Sequence, residues 1–247
     1  MSEPESLTVI VPFYNEHRTL RPAVERLLKA DLPLPLDVVV VDDGSTDGGV
    51  RQIADLIDSG AVRLERHADN RGKGAAIRSG IGLAKGDLLT IMDADLEYDP
   101  ADYRLLLDPI IKKETRIVYG TRSFGSHTAY SFWYVVGNRF VSLWASFLFN
   151  GWLSDVETCF KIAPTHVWRS LNLRSRGFAV EAEVTGKLLK AGLRIYEVPI
   201  RYRARGRSEG KKLTARDGFI ALITLLRIRF FSNIEDLSLA NIEDSNR

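Results

Sequence analysis

The sequence predicts an α/β fold, built on a mostly parallel sheet that is flanked by helices. Short apolar, β-branched segments recur at residues 7–11, 38–41 and 87–92, and a polar loop follows each of them. Segments with helical spacing lie between them, at residues 17–30 and 71–86. Strands that alternate with helices predict crossover connections and parallel pairing. In such sheets ligands bind beyond the carboxyl ends of the strands, where these polar loops lie.

The second half of the chain is less regular. Strands are predicted near residues 117–120 and 195–202, with a helix at 178–191 between them. An aromatic-rich segment at residues 128–153 predicts one or two helices, and residues 215–231 predict an amphipathic helix. Thr214 followed by Asp217 is typical of a helix start with a capping box. We expect both helical segments, at residues 128–153 and 215–231, to lie at the interface between a membrane and water.

Length and charge limit the possible architectures and partners. The 247 residues, 45% of them hydrophobic and 27% charged, fit one globular domain, which we place at residues 1–232 before a polar tail at 233–247. The net charge of +2 is too small to indicate nucleic acid as a partner. Residues 201–216 nevertheless contain seven basic residues and one acid, which suggests a phosphate site or contact with an anionic membrane.

Compartment and membrane topology are also constrained. Cys159 is the only cysteine, which favours a reducing compartment, and the amino terminus does not resemble a secretory signal. The long apolar stretch at 123–154 contains Arg139, and a charge near the centre of a membrane span costs about 2.5–3.5 kcal/mol. We therefore expect a cytoplasmic protein that is peripheral on the cytoplasmic face of a membrane, with Trp and Tyr of this stretch at the lipid–water boundary.

Two groups of carboxylates follow predicted strands. Asp93 and Asp95, with Glu97 nearby, come directly after the strand at residues 87–92 and form a candidate site for Mg²⁺ or Mn²⁺. A solvated turn is the alternative explanation for that pattern. Asp42 follows four valines, where helix capping does not account for it, and it can accept hydrogen bonds from a nucleobase or a ribose. The four histidines show no metal-ligand spacing, and we expect His67 and His127 at the surface.

Four segments, in this order and spacing, carry a family resemblance: VIVPFYNE, VVVVDDGSTDG, NRGKGAAIRSGI and MDADLEYDP. The sequence resembles the inverting family 2 glycosyltransferases, which have the nucleotide-sugar-binding GT-A fold. The later segments GTRSF, SDVETCFK, GFAVEAEV and YEVPIRYRARGRSEGKK resemble the dolichyl- and polyprenyl-phosphate mannosyl- and glucosyltransferases within that family. The resemblance covers about residues 7–228.

The resemblance implies a metal-dependent transfer of hexose from GDP-mannose or UDP-glucose to a polyprenyl or dolichyl phosphate. It implies metal ligation by Asp93, Asp95 and Glu97, although related lipid-phosphate enzymes often carry Gln at the third position. It implies a nucleotide-sugar site that contains the following residues: Pro12, Tyr14, Glu16, Asp42, Asp93, Ala94, Arg122, Arg203, Lys211 and Lys212. The extra residues RSEG leave open which of Lys211 and Lys212 contacts the donor.

The resemblance further implies catalytic roles for Asp95, Arg122, Arg139 and Asp155. A phosphate nucleophile is already anionic near neutral pH, so it needs positive charge more than a base. Asp155 is therefore either a positioning residue or, if the acceptor is a hydroxyl group of a polysaccharide or small molecule, a catalytic base. A non-catalytic nucleotide-sugar-binding scaffold is the second alternative. A separate membrane subunit is a further expected partner.

Overall fold

The computed structural model describes residues 3–125, 132–205 and 214–232. Its strands are β1 (Leu7–Phe13), β2 (Leu36–Asp42), β3 (Arg63–Arg66), β4 (Leu88–Ile91), β5 (Val118–Thr121), β6 (Lys161–Pro164) and β7 (Tyr196–Pro199). Its α-helices are α1 (Leu20–Leu28), α2 (Ala54–Asp58), α3 (Lys73–Leu83), α4 (Tyr103–Ile111), α5 (Phe132–Phe149), α6 (Thr165–Ser170), α7 (Val180–Lys190) and α8 (Ala215–Phe231). Short 3₁₀ turns occupy Gly49–Ile53 and Pro100–Asp102.

The seven strands form one sheet in the order β3-β2-β1-β4-β6-β5-β7. Strands β1 to β4 pair in parallel, and β5 pairs in parallel with β7. Strand β6 runs antiparallel to both β4 and β5. The predicted α/β fold with a mostly parallel sheet is therefore confirmed, and the described helices flank that sheet. Because β1, β2 and β4 are parallel neighbours, the loops that follow them meet at one edge.

Alternating side chains of β1 build the core on both faces of the sheet. Val9 and Val11 belong to one cluster of buried residues, which also contains α1 and α4 side chains. Ile10, between them, packs in a second cluster with Val39 of β2 and Ile77 of α3. A strand buried on both faces needs apolar side chains at every position. This requirement explains the continuous apolar segments from which the strands were predicted.

The carboxyl-terminal helices pack on each other beside the sheet. Val141 and Ala145 of α5 are buried in one cluster with Ala182 of α7 and with Ala221 and Leu225 of α8. Helix α8 has the predicted bounds and the predicted capping box at Thr214. Helix α5 ends at Phe149, four residues before the predicted end of the aromatic segment, and residues 126–131 lie outside the described part.

The outer faces of α5 and α8 are apolar and exposed. The exposed aromatic residues of this region are Phe132, Trp133, Phe140, Phe147, Trp152, Phe219, Phe230 and Phe231. No helix within residues 3–125, 132–205 and 214–232 is long and apolar enough to cross a membrane. The polar tail at 233–247 lies outside the described residues, so the domain boundary at 232 stays a prediction.

Candidate active site

A cavity of about 790 Å³ lies beyond the carboxyl ends of β1, β2 and β4. Residues that follow these three strands form its floor, and α5 and α8 contribute aromatic side chains such as Trp133 and Phe219 to its wall. Eight residues from the predicted site line the cavity: Pro12, Tyr14, Glu16, Asp93, Ala94, Asp95, Glu97 and Arg122. The cavity therefore brings together segments that are more than a hundred residues apart in the chain.

Other predicted site residues lie elsewhere. Asp42 and Asp155 are buried behind the cavity wall and do not line it. Arg139 on α5 and Arg203 are exposed, and neither lines the cavity in this structure. Two further residues, Lys211 and Lys212, lie outside the described part of the chain.

Asp43, the neighbour of Asp42, is the residue after β2 that faces the cavity. Its carboxylate accepts hydrogen bonds from the backbone N–H groups of Arg71 (3.0 Å) and Gly72 (2.7 Å), and it contacts His67 Nδ1 at 2.7 Å. His67 also contacts Ser79 Oγ, and only 7% of the residue is exposed. The expectation of a surface position for His67 was wrong, because this histidine connects the loops after β2 and β3. His127 lies outside the described residues.

Asp42 turns away from the cavity. It is fully buried, its Oδ1 accepts a hydrogen bond from the Ser45 backbone (2.8 Å), and its Oδ2 lies 3.2 Å from Arg66 Nε. In this structure Asp42 holds the loop after β2 in place, whereas Asp43 is the acid that faces the cavity.

Lys73 projects from the start of α3 into the acidic side of the cavity. Its Nζ lies 2.8 Å from Asp93 Oδ1 and 3.1 Å from Glu181 Oε1, and Glu181 Oε2 in turn accepts from Lys161 Nζ at 2.6 Å. Burial opposes the charged form of Lys73, but the negative charges of Asp93 and Glu181 outweigh it and raise its pKa well above the ordinary value. Burial likewise opposes the charged form of Glu181, but Lys161 and Lys73 lower its pKa below the ordinary value, so Lys73 and Glu181 are both held in their charged forms.

Glycines on both sides of Lys73 allow the close approach that directs this side chain. Gly72 has a φ of +90°, and a Cβ at Gly72 or Gly74 would collide with the carbonyl oxygen of Arg176 or Ser175. The Gly74 N–H donates to the Arg176 carbonyl at 2.7 Å. The glycine-rich turn thus packs directly on the loop before α7, and Lys73 points into the cavity as a consequence.

Asp95, Glu97 and Arg205 form the other half of the acidic side. Arg205 Nη1 lies 3.3 Å from Glu16 Oε2, and its Nη2 lies 3.4 Å from Asp95 Oδ2. Glu97 accepts from the Tyr202 hydroxyl (2.5 Å) and from the Arg205 backbone (2.8 Å). Burial, and then the negative charges of Asp93 and Glu97, raise the pKa of Asp95 to about 7.

The predicted metal ligands fit a divalent cation in part. Asp93 and Asp95 face the cavity. Burial and the negative charges of Asp93 and Glu97 raise the pKa of Asp95, and a bound cation would offset that negative charge. Among the described residues no three His, Cys, Asp or Glu side chains surround one point in a metal-binding arrangement. Glu97 accepts two hydrogen bonds, from the Tyr202 hydroxyl and the Arg205 backbone, whereas Asp93 and Asp95 are ion-paired with Lys73 and Arg205. The site thus offers two carboxylates and leaves other coordination positions for water and phosphate oxygens.

Arg122 and Asp155 are joined behind the opposite wall. Arg122 Nε and Nη2 each lie 2.7 Å from one oxygen of Asp155, which also accepts from the Arg122 backbone (3.0 Å) and from Asn138 Nδ2 (3.1 Å). Burial favours the neutral acid, yet Arg122 lowers the pKa of Asp155 below its ordinary value. Asp155 therefore holds Arg122 and Asn138 at the cavity, and its acceptor positions are occupied.

Sequence reasoning gave too little weight to Lys73, Asp43 and Arg205. Lys73 stood in a quoted motif, and its position between two glycines at the start of a helix was a usable signal. Arg203 and Arg205 are two residues apart, so in extended backbone their side chains would share one side, and no local pattern indicates which of the two arginines reaches the cavity. Asp42 and Asp43 present the same ambiguity.

Comparison with known proteins identifies the class. The family model described as Glycosyl transferase family 2 matches residues 8–160, which include β2 to β5, all of β1 except its first residue, and both groups of strand-end carboxylates. The protein is a glycosyltransferase. More narrowly, it belongs to glycosyl transferase family 2, as its strand-end motifs predicted.

Two curated relatives illustrate the similarity. The chain is 28% identical over 255 residues to a dolichol-phosphate mannosyltransferase of Mycosarcoma maydis, a match that covers 93% of this chain and 82% of that enzyme. It is 32% identical over 120 residues to a dodecaprenyl-phosphate galacturonate synthase of Rhizobium johnstonii. The second match covers 47% of this chain and only 36% of that relative's length.

Among solved structures, the glucosyl-3-phosphoglycerate synthase of Mycobacterium tuberculosis, crystallised with Mn²⁺, UDP and glucosyl-3-phosphoglycerate, is similar with a TM-score of 0.69. The sequence identity is 20%, and the match covers 93% of this chain and 81% of that one. At this identity the likeness concerns the fold alone, and it confirms the predicted GT-A sheet.

Proposed function

We propose that this glycosyltransferase transfers a hexose from a nucleoside diphosphate sugar, GDP-mannose or UDP-glucose, to a polyprenyl or dolichyl phosphate. The observation that carries the proposal is the composition of one cavity. It joins an acidic edge (Asp93 and Asp95) to two fixed cations (Lys73 and Arg122), and aromatic side chains of α5 and α8 form its wall. The names of the curated relatives support a polyprenyl-type acceptor.

The donor occupies the part of the cavity over β1, β2 and β4 in this proposal. Pro12 and Tyr14 line the nucleotide side, and Asp93 and Asp95 lie where a diphosphate would bind. When bound, Mg²⁺ or Mn²⁺ would supply positive charge that neutralises the departing diphosphate, with Asp93 and Asp95 as its protein ligands. Lys73, which is held in its charged form, adds a protein cation on the same side.

The acceptor phosphate approaches from the side of Arg122. Its oxygen forms the bond to the anomeric carbon as the bond to the diphosphate breaks and the electron pair leaves with the nucleotide, so the configuration inverts. Two anions meet in this reaction, and a preorganised guanidinium lowers their repulsion. The occupied carboxylate of Asp155 supports its role as a positioning residue and disfavours the alternative in which it acts as a base toward a hydroxyl acceptor.

A membrane surface is part of the same proposal. The exposed aromatic faces of α5 and α8 adjoin the cavity through Trp133 and Phe219, and Arg139 and Arg227 are exposed on the same two helices. Aromatic side chains and arginines together favour the boundary of an anionic bilayer. A lipid phosphate in that bilayer would reach Arg122 from this side.

A donor panel against defined acceptors tests the proposal. UDP- and GDP-linked hexoses are incubated with Mg²⁺ or Mn²⁺ and with polyprenyl phosphate, polyprenol or no acceptor, and products are identified by mass spectrometry. We expect a glycosyl polyprenyl phosphate from one donor, and no product with polyprenol. Transfer to polyprenol or to soluble hydroxyl compounds alone would refute the lipid-phosphate acceptor. Absence of transfer and of hydrolysis with every donor would favour the binding scaffold.

A further inference from the structure

Glu157 stands out among the acidic residues that line the cavity. It lies in the segment between α5 and β6, and its Oε1 is buried without any hydrogen-bond partner within the described ranges. Other lining carboxylates are engaged: Glu16 contacts Arg205, Asp93 contacts Lys73, and Glu97 accepts from Tyr202. A carboxylate oxygen left without a donor in a buried position costs free energy unless a ligand supplies one.

The cations near Glu157 are already committed to other acceptors. Lys161 Nζ donates to the carbonyl oxygens of Val156 (3.1 Å) and Thr158 and to Glu181 Oε2 (2.6 Å), which uses its three hydrogens. Arg122 makes its bidentate pair with Asp155. Neither of these described cations is available to pair with Glu157 without breaking an existing contact.

Charge restricts the chemistry of the missing partner. A phosphate group would repel the carboxylate, whereas neutral hydroxyl groups can donate one or two hydrogen bonds to it. Burial raises the pKa of Glu157 to about 7, and the positive charge of Lys161 opposes this shift only in part. A substantial fraction of the carboxylate form is therefore present at neutral pH, and hydroxyl donors would stabilise it.

The position of Glu157 relates it to the donor sugar. Lys161 ties the backbone on both sides of Glu157 to Glu181, and Glu181 contacts Lys73, which lies against Asp93. A series of three ion pairs thus connects the backbone around Glu157 to Asp93, where the diphosphate would bind. A hexose attached to that diphosphate would occupy the cavity that Glu157 lines together with Asp93 and Arg122.

We propose that Glu157 accepts hydrogen bonds from hydroxyl groups of the transferred hexose and thereby takes part in sugar selection. The inference rests on the proposed function, because it needs a nucleotide sugar in the cavity. Hydroxyl donors favour the carboxylate, so sugar binding lowers the pKa of Glu157. The gain in affinity that the sugar provides is therefore greatest above pH 7 and is lost as the pH falls through 7. Between pH 8 and pH 6, the affinity for the sugar nucleotide relative to the nucleotide diphosphate should decrease by up to about tenfold.

Calorimetric titration tests this role with UDP-glucose, GDP-mannose, UDP and GDP, on the wild type, Glu157→Gln and the control Glu114→Gln. Glu114 is exposed and does not line the cavity. For Glu157→Gln we expect about tenfold or more weaker binding of the sugar nucleotide, with unchanged binding of the matching nucleotide diphosphate. We also expect the ratio of the two affinities to lose its pH dependence. Removal from the sugar of the hydroxyl group that contacts Glu157 should weaken binding of the sugar nucleotide to the wild type. The same deoxy analogue should bind Glu157→Gln as well as the unmodified sugar nucleotide does.

Each other outcome has a definite meaning. An unchanged ratio of sugar-nucleotide to nucleotide affinity in Glu157→Gln would overturn the inference and leave the proposed function standing. An equal loss of affinity for the sugar nucleotide and for the nucleotide diphosphate would overturn the inference as well, because the substitution would then not act through the sugar. Failure of the wild type to bind any sugar nucleotide would instead refute the proposed function, and the inference with it.

Discussion

Arg122 and Asp155 form a bidentate ion pair, with two N···O distances of 2.7 Å, in which Asp155 is almost completely buried. The pair joins the end of β5 to the segment after α5. Asn138 of α5 donates to the same carboxylate at 3.1 Å, so one buried acid holds two cavity-lining side chains. This arrangement makes Asp155 a structural centre of this side of the cavity.

Replacement of Asp155 by alanine should therefore reduce stability. Removal of one partner leaves the Arg122 charge buried without compensation, which costs about 3–5 kcal/mol in the free energy of unfolding. Urea denaturation followed by circular dichroism measures the loss. Asp31→Ala is the control, since its pair with Arg104 is exposed and should contribute at most about 1 kcal/mol. A variant Asp155→Ala with wild-type stability and no transfer activity would indicate a catalytic base instead.

Asp95→Ala should abolish the metal dependence of donor binding. In the wild type, Mn²⁺ or Mg²⁺ is expected to strengthen binding of the nucleotide diphosphate, because the cation connects two anionic groups. Without Asp95 one of the two proposed metal ligands is missing, and affinities with and without metal should converge. Calorimetric titration of the diphosphate, with metal or with EDTA, measures this difference. Asp108→Ala, at an exposed position on α4, should behave like the wild type, and retained metal enhancement in Asp95→Ala would contradict the assignment.

Two glycines of α3 offer a matched test of the turn that carries Lys73. Gly74→Ala places a methyl group against the Ser175 carbonyl oxygen, and the forced shift should cost about 1–3 kcal/mol in unfolding free energy. Gly82→Ala, in the same helix, meets nothing within 4 Å and should be neutral or stabilising by up to about 1 kcal/mol. Urea denaturation compares the two variants. Equal stabilities would mean that the turn does not pack closely on the loop before α7.

Membrane contact should depend on exposed aromatic side chains away from the cavity. Phe147 and Trp152 are each 76% exposed, and neither lines the cavity. The double variant Phe147→Ser/Trp152→Ser should bind anionic liposomes at least about tenfold more weakly, because insertion of two aromatic side chains is lost. Flotation at low and high salt measures binding, which salt should also weaken. Leu105→Ser, exposed on α4, is the control. Undiminished flotation of the double variant would argue against this surface.

Much of the fold followed from local patterns. The β-branched segments predicted strands β1, β2 and β4, and the capping pattern at Thr214 and Asp217 predicted the start of α8. These predictions succeeded because strand and helix periodicities, and the caps of a helix, are properties of a few neighbouring residues. The antiparallel direction of β6 was not predicted, because a four-residue strand sequence does not indicate whether the strand pairs in parallel or antiparallel with its neighbours.

The candidate site was likewise predictable from local sequence only in part. Cavity positions for Asp93, Asp95 and Arg122 followed from motifs at strand ends. The exposure of Arg139 and Arg203 did not, because each stands in a segment where the choice between two sides is made by distant packing. The His67 contact with Asp43, 24 residues away, likewise has no local signature.

The sequence by itself determined that acidic residues follow β2 and β4, and that parallel strands bring them to one edge of a sheet. Only the tertiary structure decided that Asp43 rather than Asp42, and Arg205 rather than Arg203, faces the cavity. For the adjacent Asp42 and Asp43, the physical reason is that a shift by one residue reverses the direction of a side chain. Arg203 and Arg205 are two residues apart and would share one side of an extended chain, so what distinguishes Arg205 is a contact with Glu16 that spans 189 residues. Such contacts depend on how whole elements pack, and no short segment contains that information.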